Sequence, residues 1–112
     1  MAQRTVTRGD VFVVELDPTV GSEIRKQRPC LVVSPDELNE HLRTVVVVPL
    51  SSHGGQASFR VPSQFRGTQG NFMVDQIRAV SRERLVQRMG TIDAETLSLV
   101  LKTLQEVFRD DD

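Results

Sequence analysis

Four consecutive valines at positions 45–48, inside the apolar run 44–50, constrain what this chain can fold into more than any other feature. β-Branched side chains crowd a helix and suit a pleated strand. A strand with one wet face alternates apolar and polar residues, so an unbroken apolar run predicts a strand covered on both sides. One face then enters a barrel interior. The other needs a helix or a second subunit laid over it.

The remaining segments supply partners for that strand. Residues 11–16, β-branched and aromatic, predict a first strand closed by the turn-forming Asp17-Pro18. Residues 29–34, 57–61, 72–80 and 85–92 predict the others, with a polar turn at 81–84. Ser34-Pro35-Asp36-Glu37 predicts a cap and a helical turn ending near His41. Asp93 predicts the N-cap of a terminal helix in which Leu97, Val100, Leu101, Leu104, Val107 and Phe108 share one apolar face. Short strands with a single terminal helix predict a mainly β domain with a C-terminal α-helix, built as a small, partly open SH3-like barrel. Polar segments 17–28, 51–55 and 62–70 are left as loops. The first, about 12 residues, is of a length that is uncommon in compact domains and disproportionately functional.

At 112 residues the chain has room for one core, and 38% apolar residues are enough to build it. No run approaches the roughly 20 apolar residues of a membrane helix. The N-terminus lacks the apolar core of a secretory signal, so a cytoplasmic setting is expected. Cys30, the single cysteine, excludes an intramolecular disulfide and a cysteine-based zinc site; its apolar surroundings predict a buried thiol. The net charge of -1 and pI near 6.1 do not advertise a nucleic-acid binder. Setting aside Asp110-Asp111-Asp112 as a solvated acidic tail leaves a net positive body. Its cations are nearly all arginines, whose planar fork suits phosphate.

Four separated stretches carry a resemblance. These are Arg8-Gly9-Asp10-Val11 through Leu16-Asp17-Pro18-Thr19 and Gly21-Ser22-Glu23; Arg28-Pro29 with Leu31-Val32-Val33-Ser34; Val48-Pro49-Leu50-Ser51-Ser52; and Asp75-Gln76-Ile77-Arg78. In order and spacing they resemble the MazF/PemK toxin family over residues 8–108. The resemblance implies a single toxin domain over 1–109 with an acidic tail at 110–112, on the SH3-like barrel of the CcdB/PemK type. It implies a toxin of a type II toxin-antitoxin system, an endoribonuclease that cuts single-stranded RNA, mRNA above all, without metal or other cofactor. It also implies a homodimer with RNA crossing the interface and a cognate antitoxin whose acidic, partly disordered segment fills the RNA groove. The catalytic positions it implies are Arg28, Ser51 and Glu23, with Arg25, Lys26, Ser52, His53, Asp75, Gln76 and Arg78 contacting RNA. The chain departs from the family pattern at Ile24 and Lys26, where many members carry Gln and Gly. Met73 stands where some carry a catalytic Arg.

Metal-independent RNA cleavage uses the neighbouring 2′-hydroxyl as nucleophile, so the protein moves protons and stabilises charge on a phosphorane. Arg28, ionised and bidentate at a loop-to-strand junction fixed by Pro29, suits that charge. Ser51 can donate to a phosphoryl oxygen or relay a proton, and Ser52 points the other way if the strand continues. Glu23 and Asp75 are candidate bases or base-reading acceptors. His53, two residues past Ser51, titrates near neutrality and with His41 permits a two-histidine mechanism as the second choice. Two further functions compete. A gyrase-binding toxin on the same barrel depends on a C-terminal Trp, which is absent here. A noncatalytic RNA-binding barrel normally exposes stacking aromatics, and only five Phe are present.

Overall fold

The computed structural model describes residues 5–52, 59–67 and 69–111. Its strands are β1 (Asp10–Glu15), β2 (Gln27–Val32), β3 (Thr44–Ser51), β4 (Arg60–Ser63), β5 (Gly70–Met73), β6 (Arg78–Ser81) and β7 (Leu85–Thr91). The helices are α1 (Asp36–His41) and α2 (Ala94–Val107), and short 3-10 turns stand at Phe65–Gly67, Val74–Gln76 and Arg82–Arg84. Every strand pairing is antiparallel, in the order β4-β5-β3-β2-β1-β7, with β6 on β3. The result is the mainly β fold with a C-terminal helix, an open sheet rather than a closed barrel. Among the described residues no helix is long and apolar enough to cross a membrane.

The valine strand is covered on both faces by its own chain. Val45 and Val47 join Phe12, Val14, Cys30 and Val32 on one side, while Val48 and Leu50 join Val11, Leu31, Phe72 and Val100 on the other. That second layer includes α2, whose Val100 is fully buried with Leu97, Leu101 and Leu104 packed beside it. A side chain such as Val100 contributes about 1.5–3 kcal/mol by leaving water. No second subunit is therefore needed to cover the valines. Asp93 caps α2, its carboxylate accepting from the Thr96 N–H at 2.9 Å. Phe108 departs from the predicted stripe: it follows the last helical turn and is 70% exposed.

Three sequence expectations need correction. The strand expected over 72–80 is two strands, because β3 is long enough to share one edge between them. Leu50 pairs with Phe72, whereas Val47 pairs with Arg78. Continuing the first register would bring residue 75 to Val47, and the three-residue displacement is taken up by the turn Val74–Gln76. The exchange of partners falls at Val48 and Pro49, and Pro49 has no N–H to give a ladder. The strand expected over 57–61 begins at Arg60 and runs through Pro62 to Ser63, which an edge strand tolerates; Ala57 lies outside the described residues. Ser34 does not cap α1. Its hydroxyl instead donates to Asn39 Oδ1 and accepts from the Val46 N–H at 3.0 Å, tying α1 to β3.

Candidate active site

Arg28 and Ser51 come from neighbouring strands in fixed register. β2 meets β3 with Cys30 opposite Pro49, Leu31 opposite Val48 and Val32 opposite Val47. Arg28 lies two residues before Cys30 on β2 and Ser51 two residues after Pro49 on β3, so both stand just past the end of that pairing. Ser51 is only 5% exposed, and its backbone pairs with Asn71 of β5. The pairing has a steric condition, since a Cβ on Gly70 would stand 2.8 Å from the Ser51 carbonyl oxygen. Gly70 is a sterically required position the sequence did not announce. In the sequence it is one more loop glycine, and its role emerges only from the close approach of two strands.

Half-buried Arg28 donates from Nε to the Arg25 carbonyl at 3.3 Å and makes no ion pair among the described residues. Its terminal nitrogens are thus not spent on a carboxylate. The Arg25 carbonyl that holds it belongs to the loop between β1 and β2, and that loop is tied down from the far end of the chain. Arg84 Nη1 donates to the Glu15 carbonyl at 2.9 Å and also to that of Asp17. Arg78 Nη1 donates to the Leu16 carbonyl at 3.2 Å. Gln76 grips the middle, with Oε1 accepting from the Ile24 N–H at 2.8 Å and Nε2 donating to the Ser22 carbonyl at 3.5 Å. Its carboxamide thereby acts toward the loop as a paired peptide group would. Arg25 Nη2 donates to the Gly21 carbonyl at 3.4 Å, and Lys26 adopts φ 66, with its carbonyl accepting from the Leu16 N–H.

Glu23, Asp75, Gln76 and Arg78 converge with Pro49 on a depression of about 550 Å³. Glu23 uses Oε1 to accept from the Val20 N–H. Asp75 is held by a side chain the sequence did not single out. Arg60 Nε and Nη2 reach its two carboxylate oxygens, each at 3.2 Å. Arg60 stands opposite Met73 across β4 and β5, so the strand register brings a guanidinium beside the position where Met73 breaks the family pattern. No sequence spacing indicates that pair, because it joins strand β4 to the turn Val74–Gln76, fifteen residues away.

Ser52 is not in this depression. It lines a larger hollow of about 900 Å³ on the other side of the β3 end. His53 lies outside the described residues. His41 ends α1, ahead of Thr44, whereas Ser51 closes β3. At about 3.3 Å per residue, β3 separates its two ends by roughly 20 Å. His41 thus stands near the β3 end away from Ser51. Cys30 is buried, and that burial pushes its thiol up to about 12, with Arg78 nearby offsetting part of the effect. It is a core thiol as predicted, protonated at neutral pH and not a nucleophile. Among the described residues no cluster of three or more His, Cys, Asp or Glu is arranged to hold a metal ion.

Comparison with known proteins follows the same lines. Residues 7–108 match the model of the family described as "PemK-like, MazF-like toxin of type II toxin-antitoxin system". Endoribonuclease MazF9 of Mycobacterium tuberculosis is 33% identical over 110 residues, covering 88% of this chain and 92% of that protein. Endoribonuclease EndoA of Bacillus subtilis is 29% identical over 106 residues, covering 89% and 91%. Among solved structures, MazF from Deinococcus radiodurans superposes with a TM-score of 0.81 at 23% identity, covering 94% of this chain and 97% of that one. A mycobacterial endoribonuclease solved with its cognate antitoxin gives 0.75 at 21% identity, covering 93% of each. At those identities the two structures speak for the fold alone.

Proposed function

Because the chain belongs to the family of PemK-like, MazF-like toxins of type II toxin-antitoxin systems, we propose that it cuts single-stranded RNA, mRNA above all, at the site formed by Arg28 and Ser51. It is an endoribonuclease, as its curated relatives are. The observation that carries the assignment of the site is the guanidinium of Arg28, free of ion pairs among the described residues, on the strand next to the one that ends in the nearly buried Ser51.

The 2′-oxygen attacks the adjacent phosphorus and its proton passes to a base. The 5′-oxygen leaves with a proton, giving a 2′,3′-cyclic phosphate and a 5′-hydroxyl. Arg28 places its terminal nitrogens on the nonbridging oxygens, where charge builds as the phosphorane forms. The Ser51 hydroxyl donates to the same group. Glu23 keeps one carboxylate oxygen for the 2′ proton, the other being held by the Val20 N–H. Arg25 and Lys26 contact phosphates from the loop, and Asp75, Gln76 and Arg78 line the groove that receives a base, with Ser52 and His53 as further RNA contacts.

Residues 1–109 act as one toxin domain and 110–112 as an acidic tail. The protein works in the cytoplasm as a homodimer. A shallow apolar groove of about 390 Å³ between α1 and α2, with Leu38, Leu101, Leu104 and Phe108 along it, supports that assembly. An acidic, partly disordered antitoxin segment is the expected inhibitor, since a groove shaped for phosphates attracts carboxylates.

The deciding experiment incubates the protein with a long defined RNA in excess chelator and sequences the new 5′ ends. Cuts at a fixed short sequence, ending in 2′,3′-cyclic phosphate, are expected. Strict metal dependence, or 3′-hydroxyl ends, would overturn the mechanism.

A further inference from the structure

The end of β3 is a ridge between two hollows. Pro49 faces the smaller one and Ser52 the larger. In the smaller hollow the carboxamide of Gln76 is already committed at both ends to the β1–β2 loop. In the larger one three carboxamides, those of Gln64, Gln69 and Asn71, make no hydrogen bond to any described residue. We propose that this larger hollow is a base-recognition subsite that takes a nucleobase flanking the cut bond, a reading that rests on the ribonuclease assignment above.

A carboxamide offers an acceptor and two donors, the complement of a nucleobase edge, and unpaired RNA bases are read in that way. Asn71 is the strand partner of Ser51, so a base held by Asn71 lies one strand, about 5 Å, from the proposed site of chemistry. Phe65 adds an aromatic surface. Its Cζ is 3.5 Å from the place a Gly90 Cβ would occupy, so the ring is seated on β7, and aromatic faces of this kind stack bases. Arg66 stands exposed on the rim at φ 55, ψ 34, a left-handed conformation that a non-glycine residue adopts at a cost. A guanidinium there suits the phosphate that follows the base. The acid of the hollow, Asp93, is bonded to Thr96 and faces the α2 N-terminus, where the helix dipole offsets its charge.

The test is binding, read separately from cleavage. Single-stranded oligonucleotides with 2′-deoxyribose at the cut position cannot be cleaved, and they are offered as pools randomised at one flanking position at a time. The wild-type protein is expected to prefer one base at one position. The double variant Gln69→Ala, Asn71→Ala, with an unchanged melting temperature, is expected to lose that preference and to bind about tenfold more weakly. Arg66→Gly relieves the left-handed strain and should raise the melting temperature while weakening binding. Unchanged preference and affinity in a folded double variant would overturn the subsite. So would loss of antitoxin-peptide binding with RNA binding intact. A wild-type protein that binds with base preference but cuts no RNA in chelator would instead overturn the ribonuclease reading and leave the subsite standing.

Discussion

Arg28 is set apart by what it leaves unbound. Its neighbours Arg78 and Arg84 spend their guanidinium groups on loop carbonyls, whereas Arg28 gives up only Nε. Arg28→Ala should therefore lower cleavage at least about a hundredfold with a melting temperature close to wild type. Arg28→Lys should recover only part, because a point charge does not reproduce the fork. Ser51→Ala should also be severe, checked by single-turnover cleavage beside circular dichroism. Gly70 makes a different kind of contribution. In Gly70→Ala the new methyl meets the Ser51 carbonyl, which is backbone and cannot swing away. The variant should lose about 1–3 kcal/mol in urea denaturation, and its cleavage rate should fall further than the folded fraction explains. Equal loss of both would show that Ser51 need not stand where β5 puts it. Arg28 and Ser51 were legible as candidates because they sit in stretches that carry the family resemblance. Gly70 and Arg60 were not, since each meets a partner that is distant in sequence.

The turn Val74–Gln76 shows how one interruption creates a site. A continuous strand over 72–80, as hydrophobic pattern predicts, would leave no corner from which Gln76 reaches the β1–β2 loop. The register change along β3 forces the corner, and pattern does not reveal it because apolar residues stand on both sides of the turn. Gln76→Ala should accelerate hydrogen exchange at the Ile24 amide and lower cleavage, while Gln76→Glu should restore the acceptor but not the donor and give an intermediate result. Unaltered exchange at Ile24 would remove the loop from the account. The cap of α2, by contrast, was legible in Asp93 alone. Hydrogen bonds from the Thr96 N–H and hydroxyl hold the Asp93 carboxyl below its ordinary value. A group depressed in this way stabilises fully above its unfolded pKa and loses that effect as pH falls through the lower folded value. Asp93→Ala should therefore lower the melting temperature at neutral pH. The gap from wild type should close in acid, below the usual aspartate range.

Taken as a whole, the molecule answers the question the valine run raises, and answers it internally. That both faces of β3 are covered follows from four valines; that α2 folds back to do it does not, because periodicity shows which face of a helix is apolar and not where the face goes. With the valines covered, the remaining case for a dimer lies at the groove containing Leu38 and Phe108. Sedimentation at micromolar concentration should give a dimer, and Phe108→Asp should shift it toward monomer; a wild-type monomer would end that assignment. The pairing of β1 with β7 has a consequence of its own. Asp10 meets Thr91 and Val14 meets Leu85, so the first strand waits for the last before its second edge is filled. Gln76, Arg78 and Arg84, which hold the loop behind Arg28, are also made late. At about 5–20 residues per second, synthesis takes several seconds to run from Arg28 to Arg84. Throughout that interval the nascent chain carries an arginine with no scaffold around it, so the ribosome making this protein holds an unassembled nuclease until the last strand is out.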